Sequence, residues 1–191
     1  MKHHAIFLDR DGTLNHDYGY IKDPSKVVLL PGVPEGIKRL KNEYGFKAIV
    51  ISNQAGVSKG IMTIEDVDSI NHHINDLLEK EGTCIDAFYY CPYHPDFDPP
   101  EKTNCRKPSP VMIVQAAEEH EIDISKSYMI GDKESDIECG INAGVKTVLL
   151  NSETTHNEIS ILHNLGKKPN FTAADFKEVC DFVIKDFSGG I

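Results

Sequence analysis

Four stretches of this chain set polar groups directly behind apolar runs. Asp9 and Asp11 follow Ala5–Leu8, and Ser52 and Asn53 follow the run that begins at Phe46. Asp132 and Asp136 follow Tyr128–Ile130, and Arg106 and Lys107 close a long loop that begins after Ala87–Tyr90. Oxygen-rich carboxylates suit Mg²⁺, an ion commonly held by one or two carboxylates together with phosphate and water. A lysine and a hydroxyl suit phosphoryl oxygens. Asp9 and Asp11 lie two residues apart, so on extended backbone their side chains point the same way. One carboxylate could attack phosphorus while the other moves a proton.

These groups meet only if the runs are neighbouring strands. The apolar runs Ala5–Leu8, Phe46–Ile51, Ala87–Tyr90, Tyr128–Ile130 and Val145–Leu150 are continuous rather than alternating. That pattern fits strands covered on both faces, as in a parallel sheet. Helical patterns separate them. Val33–Tyr44 is closed by Gly45, and Thr63–Lys80 opens with a capping-box-like Thr-Ile-Glu-Asp. Pro110–His120 has proline at its start, and Lys133–Ala143 is closed by Gly144. Strand–helix alternation predicts a doubly wound, Rossmann-like α/β domain. In such sheets ligands bind outside the carboxyl ends of the strands, where all four polar clusters fall. Residues 151–191 carry the weakest pattern, with one further packed element expected over Lys177–Ile184. Residues 1–187 are expected to form one domain and 188–191 a frayed tail. Two long loops, 12–31 and 92–110, fall where function concentrates.

Composition narrows the partners. The chain has 191 residues, and 30 acidic against 20 basic groups give a net charge of −10. That balance argues against a nucleic-acid surface, which needs clustered Lys and Arg. It does not exclude a small phosphorylated metabolite, because a metal and a few placed cations offset charge locally. No membrane segment or signal peptide is expected from the short apolar run at the start. Five cysteines, an odd number at low density, argue against a disulfide framework and fit a cytoplasmic protein. A monomer is expected.

Asp9-Arg10-Asp11-Gly12-Thr13 resembles the first motif of the haloacid dehalogenase superfamily. Ser52 resembles its second motif, Lys107 its third, and Gly131-Asp132-Lys133-Glu134-Ser135-Asp136 its fourth. With Asn15, Gly19-Tyr20, Ser52-Asn53-Gln54, Cys91-Pro92 and Cys105-Arg106-Lys107-Pro108, the pattern is similar to the D-glycero-D-manno-heptose 1,7-bisphosphate phosphatases and their relatives, the histidinol-phosphate phosphatases. The likeness spans about residues 5–150 and implies the superfamily fold without a large cap domain. It further implies that Asp9 is the nucleophile and Asp11 the acid/base group. Asp9, the backbone carbonyl of Asp11 and Asp132 would surround Mg²⁺, with Asp136 behind them. Ser52 and Lys107 would hold the phosphoryl group. Asp17, Tyr18, Gly19, Tyr20, Ser52, Asn53, Gln54, Ala55, Arg106 and Lys107 would contact substrate. The expected reaction is hydrolysis of a sugar phosphomonoester in nucleotide-activated heptose biosynthesis, with histidinol phosphate as the alternative substrate.

Plainer roles stand beside these. Ser52 could satisfy backbone groups at a strand end, and Asp136 could be a first-turn carboxylate favoured by the helix dipole. Tyr18 and Tyr20 could be packing residues, and Lys133 could pair with a carboxylate or be exposed. His72-His73 lies on a helix pattern, where adjacent side chains diverge by about 100°, which disfavours a shared metal. A phospho-accepting receiver module would share the sheet, Mg²⁺, a hydroxyl and a lysine. Its acceptor aspartate would end the third strand, where this chain has Cys91.

Many relatives in the resembling family fold the second long loop around zinc, through a Cys-x-His pair and a Cys-x-Cys pair. Here Cys91 and Cys105 remain, while Tyr93 and Thr103 occupy the other two positions. His94 could supply one more ligand. Structural zinc takes four, so no zinc is expected, and Pro92, Pro95, Pro99, Pro100 and Pro108 are expected to stiffen the loop instead.

Overall fold

The computed structural model describes residues 2–189. Six parallel strands form one sheet: β1 (His4–Leu8), β2 (Phe46–Asn53), β3 (Ala87–Cys91), β4 (Tyr128–Gly131), β5 (Lys146–Leu150) and β6 (Phe171–Ala173). Their order is β3-β2-β1-β4-β5-β6, so the chain reverses its direction of winding between β1 and β4. This is the topological switch point of a doubly wound sheet, where a crevice opens at the carboxyl ends. Backbone pairing continues past β1, where the Asp9 N–H donates to the Ile130 carbonyl at 2.9 Å. The first acidic motif is thereby tied to the strand that leads to the second.

The helices are α1 (Val33–Tyr44), α2 (Ile64–Lys80), α3 (Pro100–Thr103), α4 (Val111–Glu119), α5 (Glu134–Ala143), α6 (Thr155–Asn164) and α7 (Phe176–Phe187). Alternation along β1 divides the core. Ile6 and Leu8 pack with Ile37, Leu40, Ile70, Ile74 and Val179 from α1, α2 and α7. Ala5 and Phe7 pack on the other face with Met112, Ile113 and Ala116 from α4. The continuous apolar strands reflect this double coverage. Local signals hold as read. Thr63 caps α2, with reciprocal bonds to Asp66 of 3.2 and 2.8 Å, and Gly45 and Gly144 close α1 and α5 in the left-handed region.

The last forty residues differ most from expectation. Besides the final helix, they contain α6 and the edge strand β6, which pairs with β5. Three residues of strand and a helix with few apolar positions leave little periodicity to detect. Ser188 and Gly189 form a turn after α7, and residues 190 and 191 of the expected tail lie outside the described residues. Among the described residues there is one sheet, with no second sheet over its carboxyl edge.

Candidate active site

The strand ends converge as their positions require. Asp9 and Asp11 follow β1, Ser52 and Asn53 end β2, Asp132 follows β4, and Asp136 sits in the first turn of α5. The backbone between Asp9 and Asn15 folds into a tight turn in which the Arg10 carbonyl accepts from Leu14 N–H at 2.8 Å. Gly12 adopts φ +91°, and a Cβ there would stand 2.5 Å from the Asp132 carboxylate. Only glycine both permits that conformation and leaves room for Asp132 to approach.

Lys107 arrives from the long loop and is 4% exposed. Its ammonium donates to Asp9 Oδ1 at 2.6 Å and to the Ile51 carbonyl at 2.7 Å, and lies 2.6 Å from Asp136 Oδ1. Burial disfavours the ammonium, but Asp136 and Asp9 outweigh burial and hold its pKa above the ordinary value. Asn53 fixes the lysine backbone, accepting from Lys107 N–H at 2.9 Å and donating to Lys107 C=O at 3.2 Å. Asp136 also accepts from Lys133 N–H at 3.1 Å, so both its oxygens are committed.

Asp9, Asp132 and Asp136 each bring a carboxylate oxygen within 4.8 Å of the others. Burial, with Asp9 and Asp136 adding repulsion, pushes the Asp132 carboxyl up to about 8. Burial raises Asp9 to about 6 despite Lys107. Asp132 Oδ1 is buried and accepts no hydrogen bond. Three buried carboxylates against one ammonium, with an orphaned oxygen among them, form a site that suits a hard cation. The oxygen donors fit Mg²⁺. Asp132 and the uncommitted oxygen of Asp9 are the side chains placed to hold it, and Asp136 supports them through Lys107.

A second network surrounds Asp11. Arg10, 2% exposed, donates to Asp11 Oδ2 through Nη2 at 2.8 Å and through Nε at 3.2 Å. Asn15 donates to Asp11 Oδ1 at 3.0 Å and Gln54 to Asp11 Oδ2 at 3.0 Å. Burial opposes ionisation, but the Arg10 charge and these bonds outweigh it and hold the Asp11 carboxyl below its usual range. Gln54 also donates to Ser52 Oγ at 2.8 Å, which leaves the Ser52 hydroxyl proton for another acceptor.

Asp9, Asp11, Ser52, Asn53, Gln54, Lys107 and Asp136 line a cavity of about 380 Å³ together with Asp17, Gly19, Tyr20, Ala55, Lys59, His94, Arg106, Lys133 and Ser135. Tyr18 is not among the lining residues; it is 65% exposed and stacks on His16. Its neighbour Tyr20 turns inward, and Lys59 donates to its hydroxyl at 2.8 Å. Lys133 pairs with Asp17 at 3.3 Å, joining the 12–31 loop to the start of α5. Gln54 and Asn53, both expected as substrate contacts, spend their side-chain amides on Asp11, Ser52, Arg10 and Lys107. Their geometry is that of struts. Arg106 differs: it is half-buried, its guanidinium donates to Tyr93 C=O at 3.4 Å, and no carboxylate pairs with it among the described residues.

Arg10 and Lys59 were not singled out from the sequence. A charge inside an apolar strand-end motif needs a buried partner, and that was the available signal for Arg10. Lys59 had only its place in the glycine-bearing turn after β2.

Cysteine pairing adds one bond not expected from the sequence. Cys91, at the end of β3, and Cys105, one residue before Arg106, form a disulfide with a Cα–Cα distance of 5.5 Å. The loop must return to the strand ends to deliver Lys107, and that return brings the two cysteines together. One bridge is not a framework; Cys84, Cys139 and Cys180 are free. His94 lines the cavity rather than joining Cys91 and Cys105 in a metal-binding group among the described residues.

Residues 104–179 match the family model described as HAD-hydrolase-like. The D-glycero-D-manno-heptose-1,7-bisphosphate 7-phosphatase of Chlorobaculum tepidum is 40% identical over 190 residues, 94% of each chain. The D-glycero-beta-D-manno-heptose-1,7-bisphosphate 7-phosphatase of Helicobacter pylori strain 26695 is 37% identical over 182 residues, covering 94% of this chain and 96% of its own. The crystal structure of the D,D-heptose 1,7-bisphosphate phosphatase of B. bronchiseptica, complexed with magnesium and phosphate, superposes with a TM-score of 0.82 at 25% identity, covering 96% of this chain and 99% of its own. The fold and site define a phosphoric monoester hydrolase of the HAD class. Within that class the chain belongs to the heptose 1,7-bisphosphate 7-phosphatase family. No helix is long and apolar enough to cross a membrane.

Proposed function

We propose that the chain is a Mg²⁺-dependent phosphatase that removes the 7-phosphate of D-glycero-D-manno-heptose 1,7-bisphosphate, in nucleotide-activated heptose biosynthesis. The names of its relatives support the substrate, and one observation in the site carries it. Arg106 stands half-buried in the wall of the cavity that holds Asp9, without a carboxylate partner among the described residues. An unpaired guanidinium there favours a second anion beside the one at Asp9, as a bisphosphate supplies.

Asp9 attacks phosphorus through its carboxylate, and an aspartyl-phosphate forms as the bond to the sugar oxygen breaks. That oxygen takes a proton from Asp11. Asp11 then removes a proton from water, which attacks the acyl phosphate, frees inorganic phosphate and restores Asp9. Asn15, Gln54 and Arg10 hold Asp11 as the carboxylate, the state the second step needs. The first step needs a protonated Asp11, which must arise as substrate enters. Ser52 donates its free proton to a phosphoryl oxygen, and Lys107 offsets charge as it builds up there. Bound Mg²⁺ would lessen the repulsion between the Asp9 carboxylate and the phosphate.

One domain, residues 1–187, would form the whole catalytic unit, a cytoplasmic monomer acting on a small metabolite. A phosphate-release panel with both anomers of the heptose bisphosphate and with histidinol phosphate tests the reading. A heptose bisphosphate should lead by orders of magnitude in kcat/KM. A comparable lead for histidinol phosphate would replace this assignment with the alternative.

A further inference from the structure

Arg10 is a charged side chain with almost no access to water, and the proposed reaction gives it no contact with substrate. Its guanidinium spends Nε and Nη2 on Asp11, donates from Nη2 to Gln54 Oε1 at 3.0 Å, and donates from Nη1 to Asn71 Oδ1 at 3.1 Å. Asn71 lies on α2, behind the site and away from the cavity lining. Gln54 closes a ring by donating back to Asp11. The fork thus fixes Asp11 from one side and is fixed in turn by α2 and the turn after β2. A buried arginine that served only to neutralise acid would belong beside Asp9, Asp132 and Asp136, the crowded carboxylates. It stands instead on Asp11, a cavity carboxylate outside that group.

We propose that Arg10 is a positioning residue, anchored by Asn71 and braced by Gln54, that sets where Asp11 exchanges its proton with the leaving oxygen. This rests on the acid/base role given to Asp11 above. A small misplacement of such a group costs about 10²-fold.

The test compares kcat/KM, which reports transfer to Asp9, for an alkyl phosphate such as the sugar substrate and an aryl phosphate such as p-nitrophenyl phosphate. The aryl oxygen leaves without needing a proton. Arg10→Met and Arg10→Lys should each lower the alkyl value by about 10²-fold and the aryl value by much less. Asn71→Ala, which touches no reacting atom, should shift the same ratio in the same direction by about tenfold. It decides the matter if the Arg10 variants do not fold. An equal loss on both substrates in the folded variants, with Asp11→Asn still discriminating between them, would overturn the positioning role alone. If Asp11→Asn itself loses equally on both, the acid/base reading fails and this inference with it.

Discussion

The ammonium of Lys107 lies 2.6 Å from Asp9 Oδ1, across 98 residues of sequence. The contact exists only when the loop after β3 has folded back onto the end of β1. It also fixes which oxygen of Asp9 is committed and which is free. The ion pair is buried and its three acceptors use all the protons of the lysine. This restrains both side chains, whatever the pair contributes to stability.

Asp9→Asn should abolish turnover with the fold intact, since the amide nearly keeps the shape of the carboxyl while removing the nucleophile. Asp11→Asn should slow turnover by about 10²- to 10⁴-fold, the scale of an acid/base group. Steady-state rates with circular dichroism on the same samples check both. Near-native turnover by Asp9→Asn would end the covalent mechanism.

Much of this arrangement was legible in the residues themselves. Five strands could be read because burial on both faces makes them continuously apolar, and polar residues at their ends then fall on one rim. The roles within the rim were less legible. Asn53 and Gln54 read as substrate contacts, but an amide can equally serve as a strut, and in the folded chain theirs are occupied. Tyr18 and Tyr20 are near neighbours of one type, yet one faces solvent and the other the cavity, a choice made by the path of an irregular loop. Burial of Arg10 depends on Asn71, 61 residues later, a partnership that local pattern does not carry.

Asp132 links the metal to stability. Its carboxyl is raised from 3.8 to about 8 by burial and by neighbouring carboxylates, so the folded chain without metal holds a proton that the unfolded chain releases near pH 4. Stability should therefore fall as pH rises from about 4 to about 8. Asp132→Asn should flatten that slope and raise Tm by a few degrees near pH 8 in EDTA, about 2–4 °C for each 1 kcal/mol in a chain of this size. Activity of the unaltered enzyme should vanish in EDTA and return with Mg²⁺. Thermal melts across pH, with and without EDTA, check the first point. Full activity in excess chelator would contradict the cation site.

Arg106→Ala should raise KM for a heptose bisphosphate by at least about tenfold while changing a monophosphate much less. The lost bonds are charge-assisted, at roughly 1.5–3 kcal/mol each, and fall on the second phosphate alone. Parallel steady-state kinetics on the two substrates decide this. Equal losses on both would place Arg106 at the reacting phosphate instead.

The loop that carries Arg106 and Lys107 should hold its shape without zinc. Cys91 and Cys105 are bonded to each other, so neither sulfur is a thiolate available to a metal, and Tyr93 and Thr103 offer no ligand of the kind zinc favours. The bridge closes a loop of about 15 residues, for which chain-entropy arguments give about 3 kcal/mol at most. Pro92, Pro95, Pro99 and Pro100 restrict the same segment when unfolded. Reduction or Cys105→Ser should therefore lower Tm by several degrees. The catalytic contacts survive such a change, because Lys107 remains clamped through Asn53, Asp9 and Asp136. Most activity should persist at 25 °C in both the reduced protein and Cys105→Ser. Metal analysis of protein purified without chelator, beside melts with and without a dithiol, tests the whole account. Stoichiometric zinc lost on Cys91→Ser or Cys105→Ser would show that the loop is built around a metal after all.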